Sequence, residues 1–163
     1  FDGEVLRDMK TIRWLGGHIG YLVIVLKKMF SYREPEFEFI ASGSTYKQSC
    51  TLVNIANSSR TGGGFLISPH ASVNDNQLNL FHCFVPTLWL RLRTLSQVEK
   101  GNHIKNKSVV YKPVKELTVK ASRKLYSQMD GELIEGQEHT FSLAGWKLPL
   151  LVFGSPGAVL SNA

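Results

Sequence analysis

Two carboxylates flank a single glycine late in the sequence, in Gln128-Met129-Asp130-Gly131-Glu132-Leu133-Ile134. A carboxylate beside a substrate hydroxyl takes its proton as the oxygen attacks, which accelerates a transfer roughly a hundred- to ten-thousand-fold. If the backbone stays extended through Gly131, residues two apart share a face and both acids point the same way. The competing reading is local. Asp-Gly between two strand-like runs is the signature of a two-residue hairpin turn with both central residues at positive φ. These residues alone leave both readings open.

Two other segments carry functional types at suggestive spacing. Asn57-Ser58-Ser59-Arg60-Thr61-Gly62-Gly63-Gly64-Phe65 is polar and glycine-rich. Three glycines let backbone approach a ligand, and exposed N–H groups suit phosphate. No Gly-Lys-Ser/Thr follows, and the segment opens a strand, so it is not a P-loop; a plain connection is the simpler reading. Further on, Asn74-Asp75-Asn76 is ordinary turn chemistry. A tight turn with one carboxylate and inward carbonyls also suits a hard cation such as Mg²⁺ with water completing the octahedron. The simpler reading here is a metal-free turn. His18, His82, His103 and His139 are scattered, and no serine sits in a nucleophile elbow. Cys50 and Cys83 have neither a paired base nor CxxC spacing, and read as small buried hydrophobes of a reducing compartment.

The elements that position these residues follow from periodicity. Between Arg7 and Phe30, the residues Ile12, Leu15, Ile19, Leu22, Val23, Leu26 and Phe30 recur at three- and four-residue steps, predicting one helix kinked at Gly16-Gly17. After Pro35, strand-like runs are predicted at 36–41, 46–57, 64–68 and 78–85. A second helix begins at Pro86-Thr87 and runs through Leu88, Leu92, Leu95 and Val98 to Lys100-Gly101. Strands return at 108–111, 116–121, 125–129, 138–143 and 147–153. Trp14, Trp89 and Trp146 read as core or core-edge aromatics. The expected fold is mainly β, an antiparallel β-sandwich or barrel with two helices, forming one domain over 1–154 with a loose tail at 155–163.

A chain of 163 residues buries roughly 70% of its unfolded surface and needs no staples. A net charge of +6 implies an anionic partner, with nucleic acid, a phosphorylated nucleotide and an acidic membrane surface all compatible. No strand interleaves aromatic with basic residues as single-strand stacking requires, which argues against nucleic acid. The longest apolar run, Ile19 to Leu26, is too short to span a bilayer. Asp2, Glu4, Arg7, Asp8 and Lys10 stand where a secretory signal would be apolar, so a cytoplasmic location is expected. Beginning at Phe1, the chain reads as a piece of a longer polypeptide.

In order, the segments resemble the C-terminal domain of bacterial diacylglycerol kinase-like lipid kinases, relatives of sphingosine and ceramide kinases with NAD-kinase-like architecture. Phe1-Asp2-Gly3-Glu4-Val5 resembles the family's opening Phe-Asp-Ala-x-Val, and Tyr21 to Lys27 its Tyr-x-x-x-x-Leu-Lys. Asn57, the Gly62-Gly63-Gly64 loop and Ser68-Pro69-His70-Ala71 follow, then Asp75-Asn76-Gln77-Leu78-Asn79 in place of Asp-Gly-x-Leu-Asp. Gly101-Asn102-His103 matches a Gly-x-His, and Asp130-Gly131-Glu132 stands unchanged. The resemblance implies an ATP-dependent lipid kinase acting on a diacylglycerol-like lipid. It implies Glu132 or Asp130 as the base, main chain at Gly62, Gly63 and Gly64 facing phosphate, and a structural Mg²⁺ held by Asp75 with carbonyls of Ser72 and Gln77. ATP is expected mainly on an N-terminal domain lying outside this chain; contact with an anionic membrane and a homodimer are compatible. The rival expectation is a non-catalytic β-sandwich that binds anionic lipid surfaces.

Overall fold

A computed structural model describes residues 1–11, 17–61 and 64–145. Two helices come first, α1 (Asp2–Thr11) and α2 (Gly17–Ser31). The strands β1 (Glu36–Ala41), β2 (Ser44–Ser49), β3 (Leu52–Ala56) and β4 (Leu78–Cys83) follow. After α3 (Leu88–Glu99) and a short 3₁₀ turn (Asn102–Lys105) come β5 (Val109–Val114), β6 (Glu116–Met129) and β7 (Glu132–Ser142). The strands form two antiparallel sheets, ordered β2-β1-β6-β7 and β3-β4-β5. The expected strand at 147–153 and the tail at 155–163 lie outside the described residues.

The main core lies between the sheets. Phe39, Leu117 and Val119 meet Leu78, Leu80 and Val114 there, with Cys50 among them. Strand β4 is buried on both faces: Leu78 and Leu80 enter this core, while Phe81 and Cys83 join Ile67, Val85 and Val98 in a second cluster under α3. That two-sided burial also encloses the polar Asn79 and His82. A third cluster, Val5 with Ile24, Val25 and Met29, joins α1 to α2. The sandwich is thus the expected architecture, and Cys50 and Cys83 are buried free thiols.

Several expected boundaries move. The run 46–57 is not one strand: β2 ends at Ser49 and β3 begins at Leu52, in different sheets. The run 64–68 forms only an isolated bridge, Thr61 to Phe65. The runs 116–121 and 125–129 fuse into β6, whose register with β7 slips between Lys120 and Leu125. The expected N-terminal helix is described as α1 and α2, and residues 12–16, including Gly16 of its expected kink, lie outside the described residues.

The helix faces are a larger correction. On α3 the apolar residues that marked the helix in the sequence are Leu88, Leu92, Leu95 and Val98, but the buried residues are Arg91, Thr94 and Val98. Leu92 and Leu95 are 38% and 40% exposed, and Trp89, expected at a core edge, is 74% exposed. Among the described side chains of α2, Ile24, Val25 and Met29 are buried, whereas Val23, Leu26 and Phe30 face out. Period was legible and phase was not, because both helices are apolar around most of their circumference.

Candidate active site

The acids sit at the end of the longest ladder in the fold. The pair Met129 and Glu132 closes a two-residue turn whose central residues have positive φ, 50° at Asp130 and 92° at Gly131. Such a turn matches the right-handed twist of its strands. Asp tolerates the left-handed region better than most residues, and Gly131 is required by conformation alone, since a Cβ there would meet nothing within 4 Å. The Gln128 side-chain carbonyl accepts from the Gly131 N–H at 2.9 Å. The hairpin reading is therefore realised and the extended one is not. Asp130 occupies the tip and Glu132 opens β7, both exposed.

Helix α1 supports this hairpin from one side. Gly3 is buried against β6 so closely that a Cβ would lie 2.0 Å from the Tyr126 carbonyl oxygen. The Arg7 guanidinium stands 4.9 Å from the Tyr126 ring centre. Lys28 of α2 bonds Glu4 at 2.9 Å and Asp8 at 3.2 Å, and Arg123 of β6 approaches Glu4 at 3.5 Å. Burial pushes the Glu4 carboxyl up, but the Lys28 hydrogen bond and the Lys28 and Arg123 charges outweigh it and hold it below its usual range. An ionised cluster thus ties α1 and α2 to the strand that carries Asp130.

The glycine-rich segment is a small closed loop. Thr61 and Phe65 exchange main-chain hydrogen bonds at 3.0 Å, and the Arg60 guanidinium donates to the Gly64 carbonyl at 2.7 Å. Gly64 is exposed at φ 103°; Gly62 and Gly63 lie outside the described residues. The exit is fixed from below. Gly101 packs with its Cβ position 2.8 Å from Leu66 and 3.3 Å from Pro69, and the buried His103 Nε2 donates to the Ile67 carbonyl at 3.0 Å. Burial lowers the His103 pKa, against the raising effect of the Ile67 and Gln97 carbonyls, so the ring is neutral. The Gly101-Asn102-His103 motif is therefore a clasp between the end of α3 and the segment leaving the loop.

At the third segment, Asp75 Oδ1 accepts from the Gln77 N–H at 3.0 Å, and Ser72 Oγ accepts from the Asn74 N–H at 3.4 Å. Asn76 adopts φ 56°, a left-handed conformation that Asn tolerates better than most residues. Donors here are oxygens only, one carboxylate with main-chain carbonyls, which fits a hard cation that keeps several waters. Among the described residues no three His, Cys, Asp or Glu side chains cluster for a metal. Leu78 pairs with Val114, just before β6 begins, whereas Asp130 follows its last residue. The Ser72–Gln77 turn thus leads into β4 beside the start of β6, whereas the Asp130–Glu132 hairpin follows its end.

Two buried polar networks escaped the sequence. Arg91 donates to the carbonyls of Val85 at 3.0 Å and Tyr32 at 3.2 Å, to that of Met29, and to the Glu34 carboxylate. Thr51 Oγ1 donates to Glu34 at 3.2 Å and accepts from the Val85 N–H at 3.0 Å. The one signal was an arginine three residues after Leu88, on the helix face that turns inward. His82 is buried, stacked on Phe39 with ring centres 4.6 Å apart, and its Nε2 meets the Tyr46 hydroxyl at 3.0 Å. Burial, aided by Lys112, lowers its pKa to about 4. Burial raises the Cys50 thiol beside it to about 12, consistent with an inert structural cysteine.

A family model described as the YegS C-terminal NAD kinase β-sandwich-like domain matches residues 1–151. The chain belongs to this family. It is 23% identical over 129 residues to a Bacillus subtilis protein named diacylglycerol kinase, covering 79% of this chain and 42% of that one. It is 29% identical over 150 residues to a Pseudomonas aeruginosa protein named probable lipid kinase YegS-like, covering 91% and 48%. Among solved structures, a Bacillus anthracis protein provisionally described as a diacylglycerol kinase superimposes with a TM-score of 0.58 at 13% identity, covering 78% of this chain and 46% of that one. This YegS-type, lipid kinase-like domain therefore spans about half the length of the curated relatives it matches.

Proposed function

We propose that this YegS-type domain is the lipid-acceptor half of an ATP-dependent kinase for the hydroxyl of a diacylglycerol-like lipid. The observation that carries this reading is the Asp130-Gly131-Glu132 hairpin, exposed at the end of the β6–β7 ladder in a lipid kinase-like domain. In the proposed step the lipid hydroxyl oxygen attacks the γ-phosphorus in line, the bond to the leaving ADP oxygen breaks, and the hydroxyl proton passes to Glu132 or Asp130. An exposed hairpin suits that role, since the phosphoryl donor must arrive from outside this domain. ATP is supplied by an N-terminal half, and the glycine-rich loop containing Gly62, Gly63 and Gly64 is the segment of this domain assigned to the phosphate side of the cleft.

The Asp75 carboxylate with the carbonyls of Ser72 and Gln77 would hold Mg²⁺ at the distal turn, where the ion would supply charge that stiffens the entry to β4. Its separation along β6 from the acids favours a structural part for that ion. The reading is tested in the full-length protein with Glu132→Gln and Asp130→Asn, following phosphate transfer from ATP to diacylglycerol in mixed micelles. At least one variant is expected to lose about 10²- to 10⁴-fold in kcat with little change in KM for ATP. Wild-type kcat in both removes the carboxylates from the mechanism. The domain without its ATP-binding half is expected to transfer no phosphate.

A further inference from the structure

Six of the ten large hydrophobic side chains that stand exposed among the described residues lie on just two helices. Val23, Leu26 and Phe30 run at helical spacing along α2, and Trp89, Leu92 and Leu95 along α3. Phe30 and Trp89 are the most exposed, at 71% and 74%. The helices are locked to each other. Arg91 of α3 holds the carbonyls of Met29 and Tyr32 at the end of α2, and Leu88 packs on the cluster containing Val25 and Met29. The two outward rows therefore lie on helices tied to one another by hydrogen bonds and packing.

The carboxylates Glu34, Glu4 and Asp8 near the seam are taken up by Arg91 and Lys28, and the exposed charges left on the two helices and their ends are mostly basic. Lys27, Arg33, Arg93 and Lys100 are exposed, and none is ion-paired among the described residues. α2 carries no carboxylate at all, and the only one on α3 is Glu99 in its last turn. Basic residues beside an outward apolar row with Trp and Phe are the composition of a surface that lies in the headgroup boundary of an anionic bilayer. A second copy of the chain fits worse, because a twofold contact on this face would set the same cations against one another. No helix among the described residues is long and apolar enough to cross a membrane.

We propose that the outward faces of α2 and α3 dock the protein on anionic lipid bilayers, with Phe30, Leu26 and Trp89 entering the interface and Lys27 and Arg93 meeting lipid phosphates. The inference builds on the lipid-kinase reading, since docking brings the hairpin to the leaflet that holds its acceptor, but its test does not depend on catalysis. The full-length protein is mixed with phosphatidylcholine vesicles with and without phosphatidylglycerol, and the bound fraction is measured by sedimentation over a salt series. Phe30→Ser/Trp89→Ser is expected to weaken vesicle partitioning about tenfold or more. Lys27→Glu/Arg93→Glu is expected to weaken it on phosphatidylglycerol vesicles and flatten the salt dependence.

Both double variants are expected to remain folded by circular dichroism, to keep the wild-type oligomeric state and to act normally on a short-chain, water-soluble diacylglycerol. Wild-type vesicle binding by the apolar variant overturns the proposal. So does a changed oligomeric state, or an equal loss on soluble acceptor, because either places another protein surface on this face. Weakened vesicle binding in a protein that phosphorylates no lipid would uphold the docking surface and reject the kinase reading.

Discussion

Arg91→Leu removes a guanidinium that is 7% exposed and ties three separate segments together. Its partners are the carbonyls of Met29 and Tyr32 at the end of α2, that of Val85 before α3, and the carboxylate of Glu34 in the connection to β1. Losing one partner of a buried ion pair costs about 3–5 kcal/mol, because the other charge is left desolvated. Here Glu34, at 15% exposure, keeps the Thr51 hydroxyl at 3.2 Å, which favours the lower part of that range. The expected loss is therefore about 3 kcal/mol, a large share of the 5–15 kcal/mol that holds a domain of this kind. Urea unfolding followed by far-ultraviolet circular dichroism measures it. Glu34→Gln in the same background is expected to recover about 1–2 kcal/mol of the sum of the single losses, since the two residues share one network. A cost below about 1 kcal/mol for Arg91→Leu would show that the seam is held by apolar packing and that the pair is incidental.

Other outcomes follow from the same geometry. His82 has a folded pKa of about 4 against an ordinary value near 6.5, so the unfolded chain binds the proton more readily. Its contribution to stability is present above pH 6.5 and is lost as pH falls toward 4, by up to about 3 kcal/mol. Unfolding free energies at neutral pH and at pH 5 should differ less in His82→Gln than in the wild type; an unchanged difference refutes the assignment. Gly101→Ala puts a side chain at φ 71° and within 2.8 Å of Leu66, and is expected to cost about 1–3 kcal/mol by thermal unfolding. A neutral substitution there would mean the clasp on residues 66–69 is slack.

The order of segments in the sequence carried the family and the sandwich, because turn residues and alternation are local signals. Asp130-Gly131 was legible as a turn for that reason, and its two positive φ values follow from those two residue types. What the sequence withheld depends on partners far along the chain. Leu92 and Leu95 look like a core stripe, and only the Arg91–Glu34 pair, 57 residues apart, explains why the neighbouring face turns inward. His82 read as one scattered histidine, and became a buried network only when β1, β2 and β4 brought Phe39, Tyr46 and Cys50 around it. The carboxylates and the Asp75 turn were expected to serve one enzyme, and topology sets them at opposite ends of a 14-residue strand. Register and strand length decide that separation, and neither is written in any local motif.

The most direct measurement is ATP-dependent phosphate incorporation into lipid by the purified full-length protein. Diacylglycerol, a sphingoid base and a polyprenol are offered in parallel micelles. Radiolabelled phosphatidic acid from diacylglycerol, formed only when ATP and Mg²⁺ are both supplied, is the predicted result. Label in none of the three lipids, from a protein that is folded and binds ATP, contradicts the account.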